Sequence, residues 1–249
     1  MAFNSKIGWT QSSWNPWYGC HKISDGCKFC YMYRDLSRFG HDPSIVRRSK
    51  TTFFDPIKWK EPRLIFPCSW SDFFVEEADQ WREEAWKIIK QTPQHTYQML
   101  TKRIERVRDH LPPDWGNGYP NVWLGVSIES NKYLEDRIDY LSWIKAKVRW
   151  VSAEPLLHYL YFGFKRSKLK HIDWVVTGGE SGFATGDYRY RECKIKWIES
   201  VVEQCQDARV PVFVKQLGTH LAKELNLSSI HGQDINEFPL HLRIQQYPN

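Results

Sequence analysis

Leu64-Ile65-Phe66-Pro67-Cys68-Ser69 is a short apolar run closing on a polar residue, and an amphipathic pattern follows from about Glu76 to Lys90. Thr96-Tyr97-Gln98-Met99-Leu100-Thr101 is a second such run, with a charged helical pattern from Arg103 to His110 behind it. Runs of this length suit strands buried on both faces, and parallel neighbours need a crossover long enough to hold a helix. Strand, helix, strand is therefore the repeating unit.

The unit recurs on both sides of this stretch. Val122 to Ile128 precedes a helix predicted over about Lys132 to Ile144, and Val148 to Ala153 follows. Ile172 to Thr177 and Val210 to Lys215 bracket a helix predicted over about Lys194 to Ala208. Towards the N-terminus, the segment up to Pro62 is polar and irregular, and Lys28 to Phe39 reads as a helix that Gly40 ends. A first strand is placed just before Cys20. Seven parallel strands predict an α/β fold, a partial or complete (β/α) TIM-like barrel, with an open sheet as the alternative. One barrel domain is expected over 1–220, with a loosely structured C-terminal extension over 221–249.

The chain has 249 residues, 41% of them hydrophobic, and none of its apolar runs reaches membrane-span length. The start, Met1-Ala2-Phe3-Asn4-Ser5-Lys6, lacks the apolar core of a secretory signal, so a cytoplasmic protein is expected. The formal charge of +6 favours anionic partners. Arg47-Arg48-Ser49-Lys50 and Lys165-Arg166-Ser167-Lys168-Leu169-Lys170 are basic runs that read either as solvated surface or as a nucleic-acid face. The 13 tryptophans point mostly to core packing, with some available to stack on flat ligands.

Three of the six cysteines fall within one loop, Trp14-Asn15-Pro16-Trp17-Tyr18-Gly19-Cys20 continuing to Ser24-Asp25-Gly26-Cys27-Lys28-Phe29-Cys30-Tyr31, at C-x6-C-x2-C spacing. Soft thiolates so close together can converge on zinc, copper(I) or an iron–sulfur cluster. A four-iron cluster normally takes four thiolates, so Cys20, Cys27 and Cys30 would leave one iron open for a small molecule. Zinc is the second reading and wants a fourth ligand, for which His21 and His41 are nearest. Disulfides, needing an oxidising compartment, come third.

Cys27-Lys28-Phe29-Cys30 resembles the second half of the C-x3-C-x-aromatic-C loop of the radical S-adenosylmethionine superfamily, although the first gap here holds six residues. Trp14 to Tyr31 is also similar to a phage-encoded family regarded as radical-S-adenosylmethionine-like. That likeness continues at Ser69–Phe74, Gly125–Glu129, Ser152–Leu156, Gly178–Gly182 and Phe213–Gln216. The resemblance implies a [4Fe-4S] cluster on Cys20, Cys27 and Cys30, S-adenosyl-L-methionine as cofactor, and hydrogen abstraction by a 5′-deoxyadenosyl radical. It also implies an electron donor for the cluster and leaves room for a partner protein. Charge and phage resemblance together put a nucleotide or nucleic acid first among substrates.

Active sites of parallel barrels lie at the carboxyl ends of the strands. By analogy with the superfamily, Ser69, Ser71 and Asp72, after the second strand, would accept from the cofactor's amino group. Asp72 reads equally as a helix cap. Lys102 and Arg103 would manage the cofactor's carboxylate, Ser127 and Glu129 its ribose, and Phe29 its adenine. Glu154, Glu180 and Lys215 are the candidates on the substrate side, although glutamates facing a lysine also read as a structural pair. Gly178-Gly179-Glu180 follows the sixth strand, so it is not equated with the superfamily's Gly-Gly-Glu element after the second. Cys68 is expected in the core, and Cys193 as a thiol or hydrogen donor. The competing function is a zinc-stabilised nucleic-acid-binding module without catalysis; a cluster protein that has lost its chemistry is a third.

Overall fold

The computed structural model describes residues 3–248, and of 164–166 the backbone alone, so Lys165 and Arg166 of the second basic run lie outside the described side chains. The main strands are β1 (Ser12–Trp14), β4 (Leu64–Pro67), β5 (Thr96–Thr101), β6 (Val122–Ser127), β7 (Val148–Ala153), β8 (Trp174–Gly178) and β9 (Val212–Gln216). They form a seven-stranded sheet in that order, with parallel pairing. This is the α/β arrangement of a partial TIM-like barrel. The short strands β2 (Trp17–Tyr18) and β3 (Arg47–Arg48) pair antiparallel with each other.

Helices α1 (Tyr31–Arg38), α2 (Asp55–Lys58), α3 (Asp79–Gln91), α4 (Ile104–Val107), α5 (Asn131–Ser142) and α6 (Ile195–Ala208) lie in the connections between strands of the sheet, and α7 (Gly218–Glu224) follows β9. In α3 the buried positions Ala85, Trp86, Ile88 and Ile89 recur at helical spacing and give it one apolar face. Helix α6 stops where Arg209 turns left-handed (φ 58°), its N–H returning to the carbonyls of Cys205 and Gln206.

Two compact units divide the chain: Met1–Ile23, Met32–Gly125 and Trp143–Lys147 form the first, and Ser24–Tyr31, Val126–Ser142 and Val148–Asn249 the second. The cut passes through β6 and through the cysteine loop, although no composition shift in the sequence marks a boundary. The first unit packs Trp14, Trp17, Phe53, Phe73, Phe74 and Tyr97 out of water; the second does the same with Trp150, Phe162, Trp174 and Phe213. Each such side chain contributes on the order of 1.5–3 kcal/mol by transfer out of water.

Two expectations need correction. The first strand of the sheet ends at Trp14, ahead of Pro16, and Cys20 instead follows the small β2 ribbon. The segment after 221 is packed: Val214 N–H donates to Ile244 O (2.8 Å) and Gln246 N–H to Val212 O (3.0 Å), so the tail pairs antiparallel along β9. Phe238 and Leu242 are buried, and Tyr247 stacks on Trp174. The tail's apolar residues are too widely spaced to form a periodic pattern, which is why it read as loose.

Candidate functional site

In the first unit the Trp14-Asn15-Pro16-Trp17 signature is scaffolding for the end of β4. Trp14 Nε1 donates to Phe53 O (3.0 Å) and Trp17 Nε1 to Asp72 O (3.1 Å). Asn15 accepts from Trp70 N–H (2.8 Å) and donates to Ser69 Oγ (3.0 Å). Cys68, expected inside the strand, lies just past it with φ 60°, a left-handed turn uncommon for a non-glycine residue. It swings the chain into Ser69–Asp72. Ser71 Oγ donates to Gly19 O (2.6 Å), and at Gly19 (φ +95°) a Cβ would collide with the Ile45 carbonyl.

Asp72 is a hub rather than the cap of α3. Its Oδ1 accepts from Thr101 Oγ1 (2.7 Å) and Phe74 N–H (2.9 Å). Its Oδ2 accepts from Lys102 N–H (3.0 Å) and faces Arg103 Nη1 at 3.4 Å. Arg103, 3% exposed, reaches Cys20 Sγ with Nη1 (3.5 Å) and His21 O with Nη2 (3.1 Å). Burial works against its charge, yet the Asp72 carboxylate and the Cys20 sulfur raise its pKa above the ordinary arginine value. The guanidinium that the sequence assigned to the cofactor's carboxylate is thus bound to a loop cysteine.

In the second unit Glu129 is wholly buried. Its Oε2 accepts from Arg137 Nη1 (2.9 Å) and its Oε1 from Ser24 Oγ (2.7 Å), while Ser24 Oγ also lies 3.5 Å from Cys27 Sγ. At Gly26 a Cβ would fall 2.5 Å from the Glu129 Cγ and closer still to Oε1, so only glycine lets the loop lie on that carboxylate. Ser127, almost fully buried at the end of β6, accepts through its carbonyl from the same Arg137 Nη1 (2.6 Å). The pair proposed for ribose is therefore built into the support of the loop.

Glu180 is held by Arg191, which donates through Nε (2.8 Å), Nη2 (2.5 Å) and its backbone N–H (2.9 Å), while Arg191 Nη1 donates to Asp25 O (2.8 Å). Both carboxylate oxygens of Glu180 are thus engaged by one arginine. Glu154 differs: Lys215 Nζ stands 3.1 Å from Oε1 but out of line for a hydrogen bond, and Ser152 Oγ is 3.3 Å from Oε2. Gly178 leaves the room this carboxylate needs, since a Cβ there would sit 2.9 Å from Oε1. Phe29 is ringed by cations, with Lys28 Nζ at 5.3 Å and the guanidinium carbons of Arg191 and Arg189 at 5.1 and 5.6 Å from its centroid.

No cysteine forms a disulfide. Cys20, Cys27 and Cys30 are partly exposed, whereas Cys68, Cys193 and Cys205 are buried. Burial pushes the thiol of Cys193 up to about 12 and those of Cys68 and Cys205 up as well, the charge of Asp72 adding to the effect at Cys68. Among the described residues no three or more His, Cys, Asp or Glu are gathered as for a metal ion. His21 Nε2 lies 2.5 Å from Glu77 Oε1, and His41 packs beside Tyr18. The donor chemistry of the loop fits a thiolate-bound cluster: three accessible soft sulfurs, two of them with a hydrogen-bonding group built beside them.

Three side chains of the basic runs are engaged within the fold. Arg48 pairs with Glu84 (2.6 Å), Arg47 donates to Asp42 O (2.9 Å), and Lys168 is bound to Asp139 (2.6 Å). Asn15, Ser24, Arg137 and Arg191 escaped the sequence reading. Only Asn15 and Ser24, inside the signature, carried a local hint; the two arginines sit on ordinary polar stretches. Among the described residues no helix is long and apolar enough to cross a membrane.

No curated protein matches the chain. Among solved structures, spore photoproduct lyase complexed with dinucleoside spore photoproduct is similar at 15% identity and a TM-score of 0.44, covering 65% of this chain and 54% of that one. The chain thus spans about half of that neighbour's length, a likeness too slight to carry a functional argument. A family model described as "Protein of unknown function (DUF5131)" matches residues 4–239, and the chain belongs to that family.

Proposed function

We propose that this chain is a radical S-adenosylmethionine enzyme whose Cys20, Cys27 and Cys30 hold a [4Fe-4S] cluster, acting on a nucleotide or nucleic acid. The observation that carries the reading is the division among the cysteines: those at C-x6-C-x2-C spacing are partly exposed, and the other three are buried with their thiols held protonated. When bound, the cluster supplies the electron that cleaves S-adenosylmethionine to the 5′-deoxyadenosyl radical. Arg103 donates an N–H towards the Cys20 sulfur, and Ser24, backed by Glu129, fixes the loop at Cys27. Lys102, whose N–H donates to Asp72 just past β5, is the residue proposed to meet the cofactor's carboxylate, with Ser69 and Ser71 in the neighbouring turn. Glu154 and Lys215 form the substrate-side pair, because Glu154 Oε1 has its cation out of line and can accept a donor from a ligand.

Iron, acid-labile sulfide and zinc content after anaerobic purification tests this. About four irons and four sulfides per chain are expected, falling sharply in Cys27→Ala. A colourless protein with one tightly held zinc overturns the reading.

A further inference from the structure

The residue between two loop cysteines, Phe29, lies under three cations contributed by two separate stretches of the second unit. Like charges around one ring repel, and the ring's negative face offsets only part of that, on the order of 0.5–1 kcal/mol per exposed contact. Arg191 is neutralised by Glu180. Arg189 is exposed, and among the described residues no carboxylate is paired with it. Its chain neighbour Tyr190 carries a further cation, Lys223 Nζ at 5.1 Å, and has the His220 ring 6.4 Å away.

The segment bearing these groups is folded back on itself. Phe183 N–H donates to Tyr188 O (3.0 Å) and Tyr190 N–H to Phe183 O (3.1 Å), and a Cβ at Gly182 would strike the Tyr190 nitrogen at 2.7 Å. The turn leaves Phe183 56% exposed. Nearby carboxylates are engaged: Asp25 with Tyr133 (3.2 Å) and Lys132 (3.9 Å), Glu192 with Lys194 (3.7 Å) and Glu224 with His220 (3.8 Å). Asp187 lies exposed in the turn.

Cations interleaved with accessible rings match an unpaired nucleic-acid strand, whose phosphates meet the charges while its bases stack. Duplex DNA would satisfy the charges and leave the rings idle. We infer that the face formed by Lys28, Phe29, Arg189, Tyr190 and Lys223 binds single-stranded nucleic acid, with Arg189 and Lys223 on phosphates. This deepens the substrate half of the proposed function and rests on it only for the choice of reaction.

The test is fluorescence anisotropy of a labelled oligothymidylate against the full chain over a range of salt concentrations. Arg189→Ala/Lys223→Ala is expected to weaken binding roughly tenfold at low salt, and to reduce the slope of log K against log salt by about 1.4, or ~0.7 per lost phosphate contact. Unchanged affinity and slope overturn the inference, as does tighter binding of a duplex of the same length. Arg189→Ala/Lys223→Ala is expected to keep the iron content of the unsubstituted chain. A failed cluster and a failed strand-binding face are thereby told apart.

Discussion

In the first unit the Cys20 sulfur faces a buried guanidinium, Arg103, which a carboxylate backs from behind; in the second, Cys27 faces a hydroxyl, Ser24, which a carboxylate backs and a guanidinium backs in turn. The two arrangements use the same kinds of group in a different order. The group 3.5 Å from the Cys20 sulfur is a guanidinium, whereas the group 3.5 Å from the Cys27 sulfur is a hydroxyl bound to the Glu129 carboxylate. An N–H from a cation stabilises electron-rich sulfur, and hydrogen bonds to the sulfurs are among the factors that set cluster potentials. The two sulfurs therefore stand in unequal surroundings.

The arrangements also differ in redundancy. Asp72 would keep the Thr101 hydroxyl and the Phe74 and Lys102 amides without Arg103, whereas Arg137 Nη1 serves both the Glu129 carboxylate and the Ser127 carbonyl. The largest effect expected is thus from Arg137→Met, which breaks a buried ion pair and a second hydrogen bond together and should cost ~3–5 kcal/mol in urea unfolding. Arg103→Met should cost about 1.5–3 kcal/mol, the range for a hydrogen bond to a charged group. A cost equal to that of Arg137→Met would break the idea that Asp72 is redundantly supported. The smallest change, Ser24→Ala, should cost about 1 kcal/mol. In the same preparations, iron retention should fall further for Ser24→Ala than for Ser71→Ala, whose hydroxyl serves only a carbonyl; equal retention would detach Ser24 from the cysteine.

The sheet was legible because each strand is a compact apolar run. β5 and β7 fall on the residues expected, and β4, β6, β8 and β9 differ by a residue or two at their ends. The helix expected from Lys28 begins only at Tyr31, since a 3-10 turn over Asp25–Cys27 occupies the loop first. Sequence could nominate Asp72, Arg103 and Glu129 as strand-end polar residues, but their roles depend on partners far along the chain. Arg103 meets Cys20 from 83 positions away, and Glu129 meets Ser24 from 105. No local pattern encodes such a pairing, so the partners of these groups were not legible. The same holds for Glu180, whose Arg191 belongs to a stretch without periodicity.

The antiparallel seam along β9 has a consequence for handling the protein. Arg243 is exposed immediately before Ile244, whose carbonyl receives the Val214 amide. A tryptic nick there would free one side of β9 and offer its bare amides and carbonyls to any other chain. Nicked molecules would then present an open strand edge, a template on which further chains can pair.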